Sequence, residues 1–480
     1  MRRLPSYLRI AFLLGPWFLS GLLAQEVPIR PPSDSSVAKP DQSGTNYLRQ
    51  NLGKQINTQS LQQLLQEKQR SETATHTIAP TSDKSNKSEK ARFMALMEQI
   101  NPALVQVGEL ESYTNYQIVR PNVEVQHYAV STPSGTTPAM IRKIYNLNNS
   151  GGSGVIAIVD AYHYPNAAAD LAKFSSTFGL PVLPTCPNGN SFGSGPACLK
   201  IEPQSASFVN CGWNAEAALD LEWAHAIAPN ASLLLIEAAS NQNADLYAAV
   251  VRARDEIAPV HGQLSMSWGT AGEGATTATY GSTFTDGVLY FAATGDSGGQ
   301  LGFPAMFPNV IAVGGTVLLY QNDGTLLAEY GWPDSGGGVS ALEKPAPPYQ
   351  AGVENVNPAG RNTPDIAAVS DGNPAVAVYV STPAAQCQDH PSPEQYQAGW
   401  TQLVGTSLAT PVVAAMVNVA GRGRTTVADE LKAIYANRKN PNRIRDIVVM
   451  DGSAGGNTTK AGYDNVTGVG APASLDFDAN

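Results

Sequence analysis

Glu216 and Asp220 are the first residues whose types and spacing suggest chemistry. They lie in the Ala- and Leu-rich run Trp213–Pro229, where helix propensity is high. Asn214 is a suitable N-cap, and Pro229 requires that the helix has already ended. At about 100° per residue, positions 216 and 220 fall about 40° apart, on one face. Carboxylates at that spacing repel, so a helix shaped for stability alone avoids them. Exposed, they form a solvated acidic face; buried, they must share protons or find partners. A second feature is Val404-Gly405-Thr406-Ser407-Leu408-Ala409-Thr410-Pro411, ahead of an Ala/Val-rich stretch. Proline is tolerated only near a helix start, so Ser407 is expected at or just before a helix N-terminus. There the dipole and free N–H groups favour negative charge. Ser407 is then either a simple cap or a nucleophile. A serine hydroxyl becomes a nucleophile only when a base takes its proton. A carboxylate can be that base if neighbouring acids and burial raise its pKa.

The surrounding pattern supplies elements to position these groups. Val155–Asp160 is a continuous apolar run ending in an acid, expected as a parallel strand buried on both faces. Ser232–Glu237, Gly262–Trp268 and Val288–Thr294 read as further strands, the last running into Gly295-Asp296. Helices are expected over 137–145, 166–178, 244–254 and, capped by Thr425 or Thr426, to about Tyr435. Strands alternating with helices predict an α/β domain with a mostly parallel central sheet flanked by helices. In such sheets function gathers at the carboxyl ends of strands, where Asp160, Trp268 and Asp296 stand. Asn322-Asp323-Gly324 between apolar runs predicts a hairpin.

Composition bounds the function. The chain has 480 residues, 42% hydrophobic and only 15% charged, enough for one large core with a lightly charged surface. Its net charge of −10 is uneven: residues 1–125 hold 14 Lys+Arg against 11 Asp+Glu, and residues 126–480 hold 16 against 29. An acidic body argues against nucleic acid as a partner. Acid protonates many of these carboxylates and relieves their repulsion, which favours acid tolerance. Arg2, Arg3 and Arg9 precede an apolar run from Ile10 to Ala24, the pattern of an export signal over residues 1–24. That run is short for a membrane span. Residues 25–125 are polar, with weak helices at 46–69 and 87–100, and read as a pro-segment or linker. Order is expected to begin near Gln126, giving a single domain over 126–480. The four cysteines suit an oxidising compartment, so a secreted or periplasmic product is expected. Cys186 and Cys198 flank a Gly/Pro/Asn-rich loop, which leaves Cys211 and Cys387 to pair; no C-x-x-C spacing suggests zinc.

The motifs together resemble a known family. Glu216-x-x-x-Asp220 is followed by Ala-His-Ala-Ile-Ala-Pro. Then come Ser265-Met266-Ser267-Trp268-Gly269, Ala292 to Gly298, Gly336-Gly337-Gly338, Thr363-Pro364-Asp365 and Gly405-Thr406-Ser407. In this order they resemble the sedolisins, serine-carboxyl peptidases of subtilisin-like fold, kumamolisin-like in pattern, over roughly 137–474. The resemblance implies a secreted, acid-active, self-processing endopeptidase that is monomeric and cuts protein or peptide substrates. It implies Ser407 as nucleophile, Glu216 as general base, Asp220 as its orienting partner and Asp296 as oxyanion donor. Asp160 and Trp268 fall where the family extends the carboxylate hydrogen-bond chain. Near the C-terminus, Arg445-Asp446-Ile447 and Lys460 to Asp464 resemble the family's calcium site. One Ca²⁺ per chain would be held by the side chains of Asp446 and Asp464 and the carbonyls of Ile447, Lys460 and Gly462. The family's long folded pro-domain has no match in the polar stretch 25–124, and processing is expected between Ser112 and Pro138.

Two rival readings remain. An ordinary Asp-His-Ser protease would need a histidine near Asp160 and Ser407. His225 lies about 180° around the helix from Glu216, and His163 follows Asp160 too closely to serve from a second element. The other rival is a catalytically inactive exported binding protein on the same fold, which the filled catalytic positions disfavour.

Overall fold

The computed structural model describes residues 78–80, 111–119 and 133–480, with short interruptions at 148–150, 188–191, 194, 205–206, 273–279, 373, 392–395 and 397. The export signal and the two weak helices expected before residue 101 lie outside the described residues.

Apolar β-branched runs build the centre. An eight-stranded sheet runs in the order Leu326–Gly331, Ile311–Tyr320, Leu289–Ala293, Gln263–Met266, Val155–Ala161, Ser232–Ala238, Leu199–Pro203, with Ile366–Gly372 also paired to Ile311–Tyr320. Every pairing is parallel except the Ile311–Tyr320/Leu326–Gly331 hairpin, whose turn is the Asn-Asp-Gly read from the sequence. Residues 155–161 and 232–238 are buried throughout, as strands covered on both faces must be. The Asn243–Ile257 helix packs on the Val155 and Ser232 strands; the Ala167–Phe178 helix packs against the Cys211–Ile227 helix. No helix among the described residues is long and apolar enough to cross a membrane.

Three expectations shift. The Glu216 helix spans Cys211–Ile227, and its cap is Asn210, whose side chain accepts the Trp213 N–H at 3.0 Å. Asn214 is therefore an interior, buried residue. Residues 263–271 do not form one strand. Gln263–Met266 lies in the central sheet, whereas Trp268–Ala271 belongs to a separate three-stranded sheet with Tyr113–Thr114 and Gly302–Phe303. Ser267 sits at the switch between them. Finally, packed structure begins before Gln126: Ser112 to Ile118 are mostly buried against the body.

Candidate active site

Two helices position the site. The helix Thr406–Ala420 starts after Gly405 and packs directly against the Cys211–Ile227 helix. Both are buried almost to the last residue. Ser407 is the second residue of its helix, close to the predicted place. Pro411 lies inside the helix, where it cannot donate to the carbonyl of Ser407, four residues earlier. That carbonyl is taken instead by the Ser267 hydroxyl at 3.2 Å, and the Ser407 hydroxyl donates to the Ser267 carbonyl at 3.1 Å. The proline thus couples the serine to the end of a central strand.

Glu216 and Asp220 are fully buried, which excludes the solvated-face reading. Glu216 Oε2 accepts the backbone N–H of Asn115 at 3.1 Å. Burial raises its pKa well above the usual value, the charges of Asp220, Asp160 and Asp296 add to this, and the Ser407 hydroxyl opposes it. Asp220 is raised by burial and by Asp160, and the Ser267 hydroxyl opposes the rise. Asp160 is pushed up to about 8 by burial and the charge of Glu237. Three carboxyls thus share one apolar pocket with no cation beside them among the described residues, so they share protons rather than carry three charges.

Asp296 faces the helix start. Its Oδ1 accepts the Thr406 backbone N–H at 2.9 Å and the Thr406 hydroxyl at 2.8 Å. Gly405, at φ +149°, lets the chain pass: a Cβ there would lie 2.7 Å from Asp296 Oδ2 and against the Asn115 carbonyl oxygen. The Gly336-Gly337-Gly338 motif serves a similar close approach, since a Cβ on Gly336 would collide with the Thr294 carbonyl behind Asp296. The Gly336 N–H donates to the Gly295 carbonyl at 2.8 Å, fixing the Asp296 turn.

Trp268 departs from the expected role. Its indole N–H donates to the Val159 carbonyl at 2.7 Å, not to a carboxylate. Because the chain leaves the central sheet at Ser267, the ring turns back over the neighbouring strand and acts as a backbone clamp beside Asp160. Sequence reasoning also gave no role to Ser267 and Thr406. Their motifs were visible, but their partners are distant in sequence. The clearest omission is Tyr113–Tyr116, whose polar surroundings read as linker yet whose backbone reaches both Glu216 and Ser407.

The two histidines weighed for an Asp-His-Ser site have other partners. His225 is buried, its ring nitrogen bonded to the Pro181 carbonyl at 2.7 Å, and burial lowers its pKa. His163 pairs with Glu237 at 2.8 Å. Among the described residues, no histidine bonds Ser407.

Both disulfides form as expected, Cys186–Cys198 and Cys211–Cys387. The second anchors the first turn of the Glu216 helix. At the C-terminal end, Asp446 and Asp464 flank one loop: Asp446 Oδ2 accepts the Gly462 N–H at 2.9 Å, and Asp464 Oδ2 accepts the Lys460 N–H at 3.3 Å. Asp464 Oδ1 accepts the Val466 and Thr467 N–H groups at 2.9 and 2.8 Å. Burial nevertheless raises Asp464 to about 6 and raises Asp446, the latter helped by the charge of Glu354. The nearby cations Arg438 and Lys439 pair with Glu354. Two oxygen-donor side chains and uncompensated negative charge fit a hard divalent cation beside this loop.

Comparison with known proteins agrees with this architecture. The sequence profile described as "Subtilase family" matches residues 208–470. Pseudomonas sedolisin, a serine-carboxyl proteinase solved with two molecules of pseudo-iodotyrostatin, is similar in fold. It has TM-score 0.55 and 21% identity, over 72% of this chain and 96% of that one. Fervidolysin from Fervidobacterium pennivorans, a keratinolytic enzyme related to subtilisin, aligns over 77% of this chain and 51% of its own at 14% identity and TM-score 0.40. No curated protein sequence matches.

Proposed function

This chain belongs to the subtilase family of serine-type peptidases, and from that premise we propose an exported, acid-active serine-carboxyl endopeptidase of sedolisin type. The observation that carries the reading is the cluster of Glu216, Asp220 and Asp160, buried with no cation among the described residues, with Glu216 and Asp220 on a helix packed against the one that bears Ser407. Burying such a cluster costs stability, and groups perturbed in this way concentrate at functional sites.

Ser407 Oγ attacks the substrate carbonyl while Glu216 takes its proton. Asp220, one turn along the same helix, and Asp160 hold the cluster's shared protons, which leaves Glu216 ionised in the active form. The oxyanion that develops is met by the Ser407 backbone N–H and by Asp296, which must be protonated to donate. Glu216 then returns its proton to the leaving amine. The acyl-enzyme is hydrolysed by water in the reverse sense. Protein and peptide chains are the substrates. One Ca²⁺, held by Asp446 and Asp464 with the carbonyls of Ile447, Lys460 and Gly462, stabilises the C-terminal loop and takes no part in the chemistry.

The test is kcat against pH for wild type, Asp296→Asn and Asp296→Ala, with folding followed by circular dichroism. Asparagine accepts the Thr406 bonds through its oxygen and donates through its nitrogen at every pH. Asp296→Asn should keep measurable activity, with its alkaline limit moved upward. Asp296→Ala should lose about 10²–10³ in kcat at all pH values, the usual cost of one oxyanion donor. Unchanged profiles in both variants would remove Asp296 from the mechanism.

A further inference from the structure

We propose that residues 112–119 are this enzyme's own first substrate, and that the bond it cuts is Asn115–Tyr116. The inference rests on the serine-carboxyl reading above. It starts from a segment that lies across the site as an extended chain. Tyr113 pairs antiparallel with Gly269 and Thr114 with Trp268, on the strand that leaves Ser267. The Asn115 N–H meets the Ser267 carbonyl at 3.2 Å and Glu216 Oε2 at 3.1 Å. The Asn115 carbonyl accepts the backbone N–H of Ser407 at 3.1 Å. Beyond it, Gln117 and Ile118 pair antiparallel with Val404 and Leu403, on the strand that leads into Gly405-Thr406-Ser407.

Each contact has a catalytic meaning. A scissile carbonyl must point at the oxyanion donors, and the Asn115 oxygen does so: it bonds one of them and shares the space over Gly405 with Asp296 Oδ2. The strands before and after the bond are each paired with an edge of the enzyme, so the peptide is held on both sides of the attack point. No other peptide bond of the segment puts its carbonyl on Ser407. Upstream, Ser112 is anchored by its N–H to the Asn241 carbonyl at 2.7 Å and its hydroxyl to Asn243 Oδ1 at 2.7 Å. Downstream, Tyr116 is buried and its hydroxyl donates to the Gly212 carbonyl at 2.8 Å.

Asn115 lines a cleft together with Gly269–Ala271 and Ala293–Asp296. Its amide lies 3.7 Å from where a Cβ on Gly269 or on Gly295 would stand, so both walls come close to this short polar side chain. The same cleft would select the residue before the cut in other substrates.

The step balances. Ser407 Oγ bonds the Asn115 carbonyl carbon, its proton passes to Glu216 and then to the Tyr116 nitrogen, and the C–N bond breaks. Water then adds hydroxide to the Asn115 carbon and returns a proton to Ser407. The products are a carboxyl-terminal Asn115 and an amino-terminal Tyr116. Until the products leave, the segment blocks the site.

The full chain is purified near neutral pH, shifted to pH 4 and followed by intact mass and N-terminal sequencing, beside Ser407→Ala and Asn115→Arg. Casein hydrolysis is measured in the same samples. Wild type should yield a chain beginning at Tyr116, and Ser407→Ala should stay whole. Asn115→Arg, with a long cation in a short cleft, should be cut at this bond at least tenfold more slowly. A synthetic peptide covering 111–120 should be cut by the activated enzyme between its Asn and Tyr. If casein is hydrolysed but the new N-terminus lies elsewhere, or the wild-type chain stays whole, the assignment falls and the peptidase reading stands. If Ser407→Ala shortens identically, a foreign protease makes the cut and the assignment falls. Absence of both casein and self cleavage would remove both readings.

Discussion

Two groups of buried carboxylates in this chain have opposite surroundings. Asp365 sits four residues after Arg361, both fully buried, with guanidinium–carboxylate contacts of 2.7 and 2.6 Å. Asp365 also accepts the Tyr435 hydroxyl at 2.9 Å and the Ala312 N–H at 2.8 Å. Burial alone would weaken Arg361 as a cation, but Asp365 outweighs it and holds its pKa above the usual value. Glu216, Asp220 and Asp160 are equally buried and have no cation beside them among the described residues. The first arrangement fixes its charges and holds three segments together. The second leaves its protons mobile within the neutral and acid range, which is useful only to chemistry. Burial is common to both, so it is the partner that separates a structural carboxylate from a working one.

The largest effect should come from removing the working base. Glu216→Gln keeps the side chain's size and should lower kcat about 10⁴–10⁶-fold, the range seen when one member of such a unit is lost. The fold should not suffer. Glu216 is raised above its unfolded value, so its contribution to stability is full in acid and is lost as pH rises through the folded pKa. The glutamine variant escapes that loss. Its melting temperature should match wild type at pH 4 and equal or exceed it at pH 8. A variant markedly less stable than wild type at pH 8 would make Glu216 structural and collapse the distinction.

The converse substitution should do the reverse. Asp365→Asn leaves Arg361 buried against a neutral amide, a loss of about 3–5 kcal/mol. Denaturant unfolding near neutral pH would read it, while activity per folded molecule should change little. A stability loss below about 1 kcal/mol would show that the ion pair is not what holds Ala312, Tyr435 and the Thr363-Pro364 turn together.

The sequence carried this contrast unevenly. The strands ending in Asp160 and Asp296, the face shared by Glu216 and Asp220 and the helix start at Ser407 were legible, because each is a local pattern of apolar period plus one misplaced polar residue. Arg361 and Asp365 lie outside any regular period, and the motif containing Asp365 gave no hint of a partner four residues back. Trp268 was misread because the strand break at Ser267 is set by pairing with Tyr113 and Thr114, more than 150 residues away. That same pairing is why the linker reading of Ser112–Ile118 failed. Its backbone is held by the edges of a finished cleft, and backbone pairing leaves little trace in composition. Helix capping slipped four residues, from Asn214 to Asn210, because both asparagines suit the role and only the Cys211–Cys387 bridge marks the earlier one.

Asp464 lies between the two groups and gives the smallest, most conditional prediction. It accepts N–H and O–H donors but no cation, and its pKa rises from 3.8 to about 6. A raised acid favours the folded state fully below its unfolded pKa, and that advantage is lost as pH rises through the folded one. For Asp464 the window is therefore between about 4 and 6, and the loss above it is about 3 kcal/mol at about 1.4 kcal/mol per pH unit. A divalent cation bound beside Asp446 and Asp464 would offset this loss, because it favours the ionised form. Calcium should then stabilise the protein more at pH 7 than at pH 4, by about 2.7 kcal/mol at a hundredfold excess over Kd. Melting temperatures with calcium and with chelator, at both pH values, measure it. Asp446→Asn still accepts the Gly462 N–H but lacks the charge, and chelator should do nothing further to it. Acid alone should mimic calcium in part, since protonating Asp464 removes the same repulsion. A chelator effect equal at both pH values would detach the cation from Asp464, and no effect at pH 7 would dispose of the site. In that case Asp464 would stand with the structural carboxylates, held by its turn and nothing more.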